Sequence, residues 1–537
     1  MHLTNQDLQD KQAWQKAGIQ LPQFNREQVA QNTKQQPTWV HFGAGNIFKA
    51  FPAMVQQQLL NQGIEDKGII VAEGYDYEII DKMSLPHDNL SLLVTLKADG
   101  SIEKTVVGSV VESLKVDSNN TADFTRLKEI FAAPSLQMVS FTITEKGYSL
   151  VRGDGSLLPD VEADFAAGPA TPQSYIGKLA ALCVHRYNSG KLPVALVSMD
   201  NCSHNGTKLY EAVHAFAVEW AKNGFVQQGF VDYIENPGKV SFPWSMIDKI
   251  TPRPDEGVKE MLNSLGFEDA EGIVTTKNTY VAPFVNAEET QYLVIEDQFP
   301  NGRPALDKGG ILFTTRETVD KVEKMKVCTC LNPLHTALAI YGCLLGYTKI
   351  SDEMKDADLV NLIRRVGYQE GLPVVVDPGV LSPKEFIDTV IEVRLPNPFM
   401  PDTPQRIATD TSQKLSIRFG ETIKAYEKDA QLDVQSLVAI PLVLAGWCRY
   451  LMGVDDAGNA FEVSPDPMYN EVHKYLADIK VGQAGPFHTQ LQPILSNQAI
   501  FGVNLYNVGL GERVEDIFAE LVKEFGAIRS TLRKYLV

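Results

Sequence analysis

The stretch Pro37-Thr-Trp-Val-His-Phe42-Gly43-Ala-Gly45-Asn46-Ile-Phe48-Lys-Ala-Phe51 restricts the possible folds more than any other part of the chain. A short apolar strand runs straight into two glycines spaced two apart, and a helical pattern over 46–62 follows. Glycines so placed at a strand-to-helix turn let the backbone come close to a pyrophosphate. Phe48 stands where the third glycine of the dinucleotide fingerprint would be, so a purely structural glycine turn is the competing reading.

The surroundings favour nucleotide binding. A second strand, 68–73, ends on Glu73, with Asp76 close behind. A carboxylate there accepts hydrogen bonds from an adenosine ribose and disfavours a 2′-phosphate, which points to NAD over NADP. Spacing does not separate Glu73 from Asp76. Residues 90–114 alternate around Asp99-Gly100 and read as a hairpin insertion. A helix over 122–132 and a strand over 137–143 then continue βαβ order.

That strand ends in Thr144-Glu145-Lys146-Gly147-Tyr148, and Thr144 and Glu145 are placed to meet the cofactor. The next, 192–198, ends in Met199-Asp200-Asn201-Cys-Ser-His204-Asn205-Gly206. Ordinary turn chemistry competes at both ends. A buried extended segment near 242–252 carries Asp248, and a final strand over 291–297 ends in Glu296 and Asp297. Helical patterns then take over, at 333–347, 354–366, 383–394, 412–428, 435–452, 468–479 and 513–535.

The expected class is therefore α/β, a Rossmann-type doubly wound sheet followed by a mostly α-helical C-terminal domain. Its parts are an N-terminal arm (1–36), a nucleotide domain with insertions (37–308) and a helical substrate domain (309–537). With 537 residues the chain is too long for one core. A net charge of −18 argues against a nucleic-acid surface and gives no attraction to an anionic membrane. Six cysteines in so long a chain make no disulfide framework, and no signal-peptide pattern opens it, so a reducing cytoplasm is expected. The longest apolar run, 437–448, is too short to cross a bilayer and reads as a buried helix.

The chemistry concentrates in Lys326-Val-Cys328-Thr-Cys330-Leu-Asn332-Pro333-Leu-His335. Asn332 reads as an N-cap and Pro333 as the first helical residue. A lysine beside a helix start loses its proton more easily, which suits a general base. A capped core helix behind a surface lysine is the plainer alternative. Cys328, Cys330 and His335 invite zinc, but they lack a structural-zinc spacing and no metal is expected.

Taken together, these pieces resemble the mannitol dehydrogenase family, polyol-specific long-chain dehydrogenases that include fructuronate and tagaturonate reductases. The likeness spans roughly 38–430. It rests on Gly43-Ala-Gly45-Asn-Ile-Phe, Thr142-Ile-Thr-Glu145-Lys-Gly-Tyr, Asp200-Asn201-x-x-His-Asn205-Gly206, Ser245-Met-Ile-Asp248-Lys-Ile-Thr-Pro, Ile295-Glu296-Asp297, Asn332-x-x-His335 and Arg406-Ile-Ala-x-Asp410-x-Ser-x-Lys414.

The resemblance implies a metal-independent, NAD-linked interconversion of a secondary alcohol and a ketone, with the active site between the two domains. It makes Lys326 the general acid/base, Asn201 and Asn332 donors to the alkoxide, and His335 a partner of a substrate hydroxyl. Arg406 and Lys414 match positions gripping the far end of the substrate, and Asp248 and Glu296 join that set. Gly43, Gly45, Asn46, Phe48, Glu73, Asp76, Thr144 and Glu145 form the cofactor set. In the family the lysine precedes the asparagine by five residues, whereas Lys326 precedes Asn332 by six. A one-residue bulge would keep Lys326 as the base, and Lys324 is the alternative. The implied substrate is an acyclic sugar acid, fructuronate or tagaturonate going to mannonate or altronate. A neutral polyol such as mannitol, or a non-catalytic binding role on a dehydrogenase frame, remains open.

Overall fold

A computed structural model describes residues 1–536. It divides into one compact unit made of Met1–Lys97 with Ser101–Asp320, and another made of Ala98–Gly100 with the chain from Lys321 on. The first holds fifteen strands: β1 (Ile19–Gln20), β2 (Trp39–Phe42), β3 (Ile69–Glu73), β4 (Ser91–Leu96), β5 (Ile102–Val107), β6 (Val110–Lys115), β7 (Met138–Phe141), β8 (Val194–Ser198), β9 (Val240–Ser241), β10 (Ser245–Asp248), β11 (Ile273–Val274), β12 (Tyr280–Val281), β13 (Phe284–Glu288), β14 (Tyr292–Glu296) and β15 (Leu312–Thr314).

Six of them form a sheet in the order β6-β3-β2-β7-β8-β9, with every neighbouring pair parallel. The order reverses between β2 and β7, the switch point at which a doubly wound sheet opens a crevice for a ligand. Both faces are covered. Val40, Phe42, Ile70 and Ala72 pack into one core, while Trp39, Ile69 and Val71 pack into the other. Period-2 alternation across two buried faces is why these strands read as continuous apolar runs. Arg186, fully buried, ties loops to the sheet by donating to the carbonyls of Phe131, Ala133, Leu136, Leu192 and Pro193.

Several local expectations need correction. The helix after the glycine turn is two helices, Asn46–Ala50 and Pro52–Asn61. Phe51 breaks them with φ −126° and ψ −75°, because a residue before proline is pushed out of the α region. Residues 90–114 are not one hairpin insertion. β4 and β5 pair antiparallel in a second sheet of order β1-β5-β4-β13, but β6 joins the main sheet beside β3. The strand at 292–296 is not the last, since β15 pairs parallel with β14.

The second unit is helical. Its helix Ala439–Tyr450, the apolar run of the sequence, is buried at every position. The pattern over 513–535 is two helices, Gly511–Leu521 and Ala527–Leu536. Four π turns interrupt the α-helices here: Lys326–Cys330, Arg365–Gly371, Val390–Arg394 and Ser416–Gly420. The helical stretch Arg316–Leu344 is long and apolar enough to cross a membrane, but 72% of its most apolar window is buried inside the fold, as in a core helix.

Candidate active site

In the first unit, the chain leaves β2 through Gly43 at φ +105°, a left-handed conformation suited to glycine. A Cβ there would lie 2.3 Å from the Thr142 carbonyl oxygen at the end of β7. Gly45 is different. Its backbone is extended, it precedes the helix Asn46–Ala50, and no heavy atom lies within 4 Å of where its Cβ would be. Gly43 thus packs the turn, and Gly45 keeps a space open above it.

That space belongs to a cavity of about 580 Å³ walled by Gly43, Gly45, Glu73, Asp76, Thr142 and Thr144, among others. Glu73 clasps the turn from below, accepting from the Ala44 N–H at 2.9 Å and from the N–H groups of Tyr75 and Asp76. Asp76 accepts from the Thr275 hydroxyl at 2.6 Å. Both carboxylates stay in the wall, and only Glu73 is bonded to the glycine turn itself. A glycine-lined opening at the switch point, with an acid at the end of the neighbouring strand, fits a dinucleotide.

Other members of the expected cofactor set sit differently. Asn46 opens the helix after Gly45. Phe48 is in the core, stacked on the His41 ring at 3.9 Å between centroids, and does not face the cavity. His41 in turn bonds Ser140 and Thr142, and burial pushes its pKa down to about 3. Glu145 is exposed, pairs with Lys208 and lies in the wall of a neighbouring cleft. Thr144 is in the cavity wall at φ +65°, strained backbone for a β-branched residue. Its N–H and that of Ile143 donate to the Asp200 carboxylate at 2.8 and 2.9 Å, which holds the strained turn.

Asp200 also accepts from the Tyr148 hydroxyl, and burial raises its pKa. Asn205, fully buried, spans β8 and β10 by donating to the Ser198 and Ser245 carbonyls and accepting from the Ser245 N–H. Most of the motif Asp200-Asn201-x-x-His-Asn205 therefore positions strand ends, leaving Asn201 as its exposed carboxamide. Asp248 is buried at the end of β10. Glu296 accepts from the Trp244 N–H at 3.0 Å and pairs with Arg316 at 2.9 Å.

In the second unit, Asn332 is not an N-cap. The helix Arg316–Met325 runs into the π turn Lys326–Cys330 and on into Asn332–Leu344. The Leu331 N–H bonds the Lys326 carbonyl five residues back at 3.1 Å, and the His335 N–H bonds the Leu331 carbonyl at 3.0 Å. Pro333 lacks an N–H and would crowd the carbonyl four residues earlier, and the wider π turn ahead of it makes room. A π turn takes up one extra residue without ending the helix, which matches the six-residue step from Lys326 to Asn332. Lys326 is 5% exposed, whereas Lys324 is exposed.

His335 is largely buried, and its Nε2 has no hydrogen-bond partner among the described residues. The Asp402 carboxylate is 3.8 Å away. Burial lowers the His335 pKa, Asp402 opposes this, and the guanidiniums of Arg418, Arg406 and Arg394 reinforce it. Arg406 is exposed and paired with Asp402, and Lys414 donates to the Thr409 carbonyl. Burial and then the Arg418 charge lower the Lys414 pKa. Arg394, Asp402 and Arg418 were not singled out from the sequence. Basic residues in helical patterns look like a solvated face, and Asp402 sits in a proline-rich loop without a motif.

Among the described residues, no group of three or more His, Cys, Asp or Glu side chains is disposed to hold a metal ion. Burial raises the Cys328 thiol to about 11 and the Cys330 thiol to about 12.

Residues 37–308 match the mannitol dehydrogenase Rossmann domain, and 318–521 match the mannitol dehydrogenase C-terminal domain. The chain is 54% identical over 536 residues to a D-mannonate oxidoreductase of Thermotoga maritima, covering 99% of each. Its fold is similar to a crystal structure of D-sorbitol dehydrogenase in substrate-free form, with TM-score 0.79, 25% identity and coverage of 96% and 98%. It is also similar to the Pseudomonas fluorescens mannitol 2-dehydrogenase in a ternary complex with NAD and D-mannitol, with TM-score 0.67, 26% identity and 99% coverage of both chains. The chain belongs to the mannitol dehydrogenase family and is an oxidoreductase.

Proposed function

We propose that this protein interconverts the ketone of an acyclic hexuronate and the secondary alcohol of the corresponding aldonate, fructuronate or tagaturonate going to mannonate or altronate, with NAD. The observation that carries the chemistry is Lys326, a buried lysine on a π turn that leads into Asn332 and His335. The acid substrate is supported by the near full-length identity with a D-mannonate oxidoreductase. In this reading the first unit holds the cofactor and the second grips the substrate.

NAD, when bound, supplies the acceptor or donor of the hydride. The Gly43–Gly45 turn takes its pyrophosphate, and Glu73, bonded to that turn, is better placed than Asp76 to accept from the ribose. Lys326 removes the proton of the alcohol in oxidation and returns it to the oxygen in reduction. A lysine amine works near neutral pH only when its pKa falls from ~10.4, which burial favours. Asn332 donates to the developing alkoxide without competing for the proton. Asn201 is assigned the same kind of donor role. The unpartnered Nε2 of His335 takes a substrate hydroxyl, and Arg406 and Lys414 hold the chain of hydroxyls beyond it.

Steady-state reduction of fructuronate, tagaturonate and fructose with NADH tests the reading. The expected result is a kcat/KM for one uronate at least tenfold above that for fructose. A clear preference for fructose would replace it with a neutral polyol dehydrogenase.

A further inference from the structure

The buried Arg186 and Arg449 spend their N–H groups on backbone carbonyls. Arg186 makes five such bonds, and Arg449 reaches the carbonyls of Leu521, Val454 and Asp455. A guanidinium has five donors and cannot shed its charge, so burying one without partners is unfavourable. Arg418 breaks the pattern. It lies on the π turn Ser416–Gly420, half-buried, and among the described residues the one hydrogen-bond partner of its guanidinium is the Thr336 hydroxyl. No carboxylate pairs with it among the described residues.

Its aim is fixed from the helix that carries His335. Thr336, 1% exposed, donates to the Asn332 carbonyl at 2.8 Å and accepts from Arg418 Nη1. The guanidinium is thereby held on the residue next to His335, whose Nε2 has no hydrogen-bond partner among the described residues. Of the neighbouring cations, Arg406 is tied to Asp402 and Lys414 to the Thr409 carbonyl. Among the described residues the Arg418 guanidinium has neither a carboxylate nor a carbonyl partner, and its planar fork matches a carboxylate.

We propose that Arg418 is the specificity-determining anchor for the substrate carboxylate, set by Thr336 and acting beside His335. This rests on the sugar-acid reading and assigns the recognition of the acid group to a residue other than Arg406 and Lys414. A neutral polyol meets the guanidinium only with hydroxyls, whereas a carboxylate brings an opposite charge to its fork, so Arg418 discriminates by the charge of its partner.

The test compares kcat/KM for fructuronate and for fructose, with NADH, in the wild type and in Arg418→Gln, Arg418→Lys and Thr336→Val. The acid-to-neutral ratio is expected to fall at least tenfold in Arg418→Gln, and less in Arg418→Lys, which keeps the charge but loses the fork. Thr336→Val, which keeps the guanidinium but removes the hydroxyl that aims it, is expected to lower the ratio as well. Binding of D-mannonate against D-mannitol, followed by calorimetry, should show the same loss for the acid. Should Arg418→Gln fail to fold, the Lys and Val variants report the same ratio. A wild-type preference for fructuronate that persists undiminished in the variants overturns the role of Arg418 and leaves the sugar-acid reading standing. A wild type that prefers fructose overturns both.

Discussion

Gly43 and Gly45 are two residues apart, yet alanine at each should fail in a different way. At Gly43 the new Cβ would meet the Thr142 carbonyl oxygen at 2.3 Å and the Thr142 Oγ1 at 3.2 Å. Neither side yields easily, because Gly43 N–H is bonded to the Ala72 carbonyl and Thr142 N–H to the Phe42 carbonyl, both at 2.9 Å. An L-residue forced to φ +105° adds roughly 1–2 kcal/mol and overpacking roughly 1–3 kcal/mol, a loss of about 2–5 kcal/mol in all. For a unit of this size that lowers the melting temperature by roughly 3–8 °C. At Gly45 the Cβ would meet nothing within 4 Å, and φ is −78°. Its effect on stability should stay near the few tenths to ~1 kcal/mol by which alanine is a poorer N-cap than glycine. The methyl group would instead occupy the space assigned to the pyrophosphate. Losing one charge-assisted hydrogen bond, worth ~1.5–3 kcal/mol, weakens NADH binding about ten- to hundredfold. Scanning calorimetry gives the first quantity and titration of NADH fluorescence the second. Gly45→Ala protein that bound NADH like the wild type, or Gly43→Ala protein that melted with it, would refute the reasoning.

Two further outcomes follow from the same geometry. Lys326→Ala should lower kcat by about 10²–10⁴-fold while Lys324→Ala changes it by less than about threefold, and the reverse ranking in steady-state assays would move the base to Lys324. His41, neutral in the fold down to about pH 3, binds a proton in the unfolded chain below ~6.5. The unfolded state thus takes up more protons as pH falls, and stability drops by up to ~1.4 kcal/mol per pH unit below 6.5, roughly 1.5–2 kcal/mol by pH 5. Urea unfolding at pH 7 and 5 should show a smaller drop for His41→Asn than for the wild type, and equal drops would count against this assignment.

The sheet was legible because its central strands are covered on both faces. Trp39-Val-His-Phe42 and Val194–Ser198 read as short, largely apolar strands for that reason, and the βαβ order along the chain pointed to a doubly wound sheet. The second sheet was harder to read, since β5 and β6 sit two residues apart in one alternating stretch and only tertiary pairing assigns them to different sheets. Gly43, Gly45, Glu73, Asp76 and Thr144, all named from the sequence, line one cavity. Phe48 was misplaced because a position in a motif does not reveal which way the helix turns its side chain. Asn332-Pro333 carries a strong start signal, but tertiary packing kept the helix unbroken through it. A π turn is a slip in hydrogen-bond partner from four residues back to five, and apolar periodicity leaves no trace of so small a change. Arg418 was invisible for a related reason, as nothing in Ser416-Ile-Arg-Phe-Gly420 distinguishes a half-buried guanidinium from a solvated one.

The π turn at Lys326–Cys330 also bears on how chains of this kind are recognised. An extra residue in a loop changes little, whereas one in a straight helix would rotate everything after it by about 100°. On the five-residue step that the family resemblance implies, the extra residue here is absorbed within the π turn, so Pro333, His335 and Thr336 stay in helical register with the core behind them. A search pattern with a fixed interval of five between the basic residue and the asparagine would pass over this chain, and an aligner forced to avoid gaps inside helices would pair the asparagine with the wrong residue. Allowing an interval of five or six at that one place would bring both forms into the same alignment.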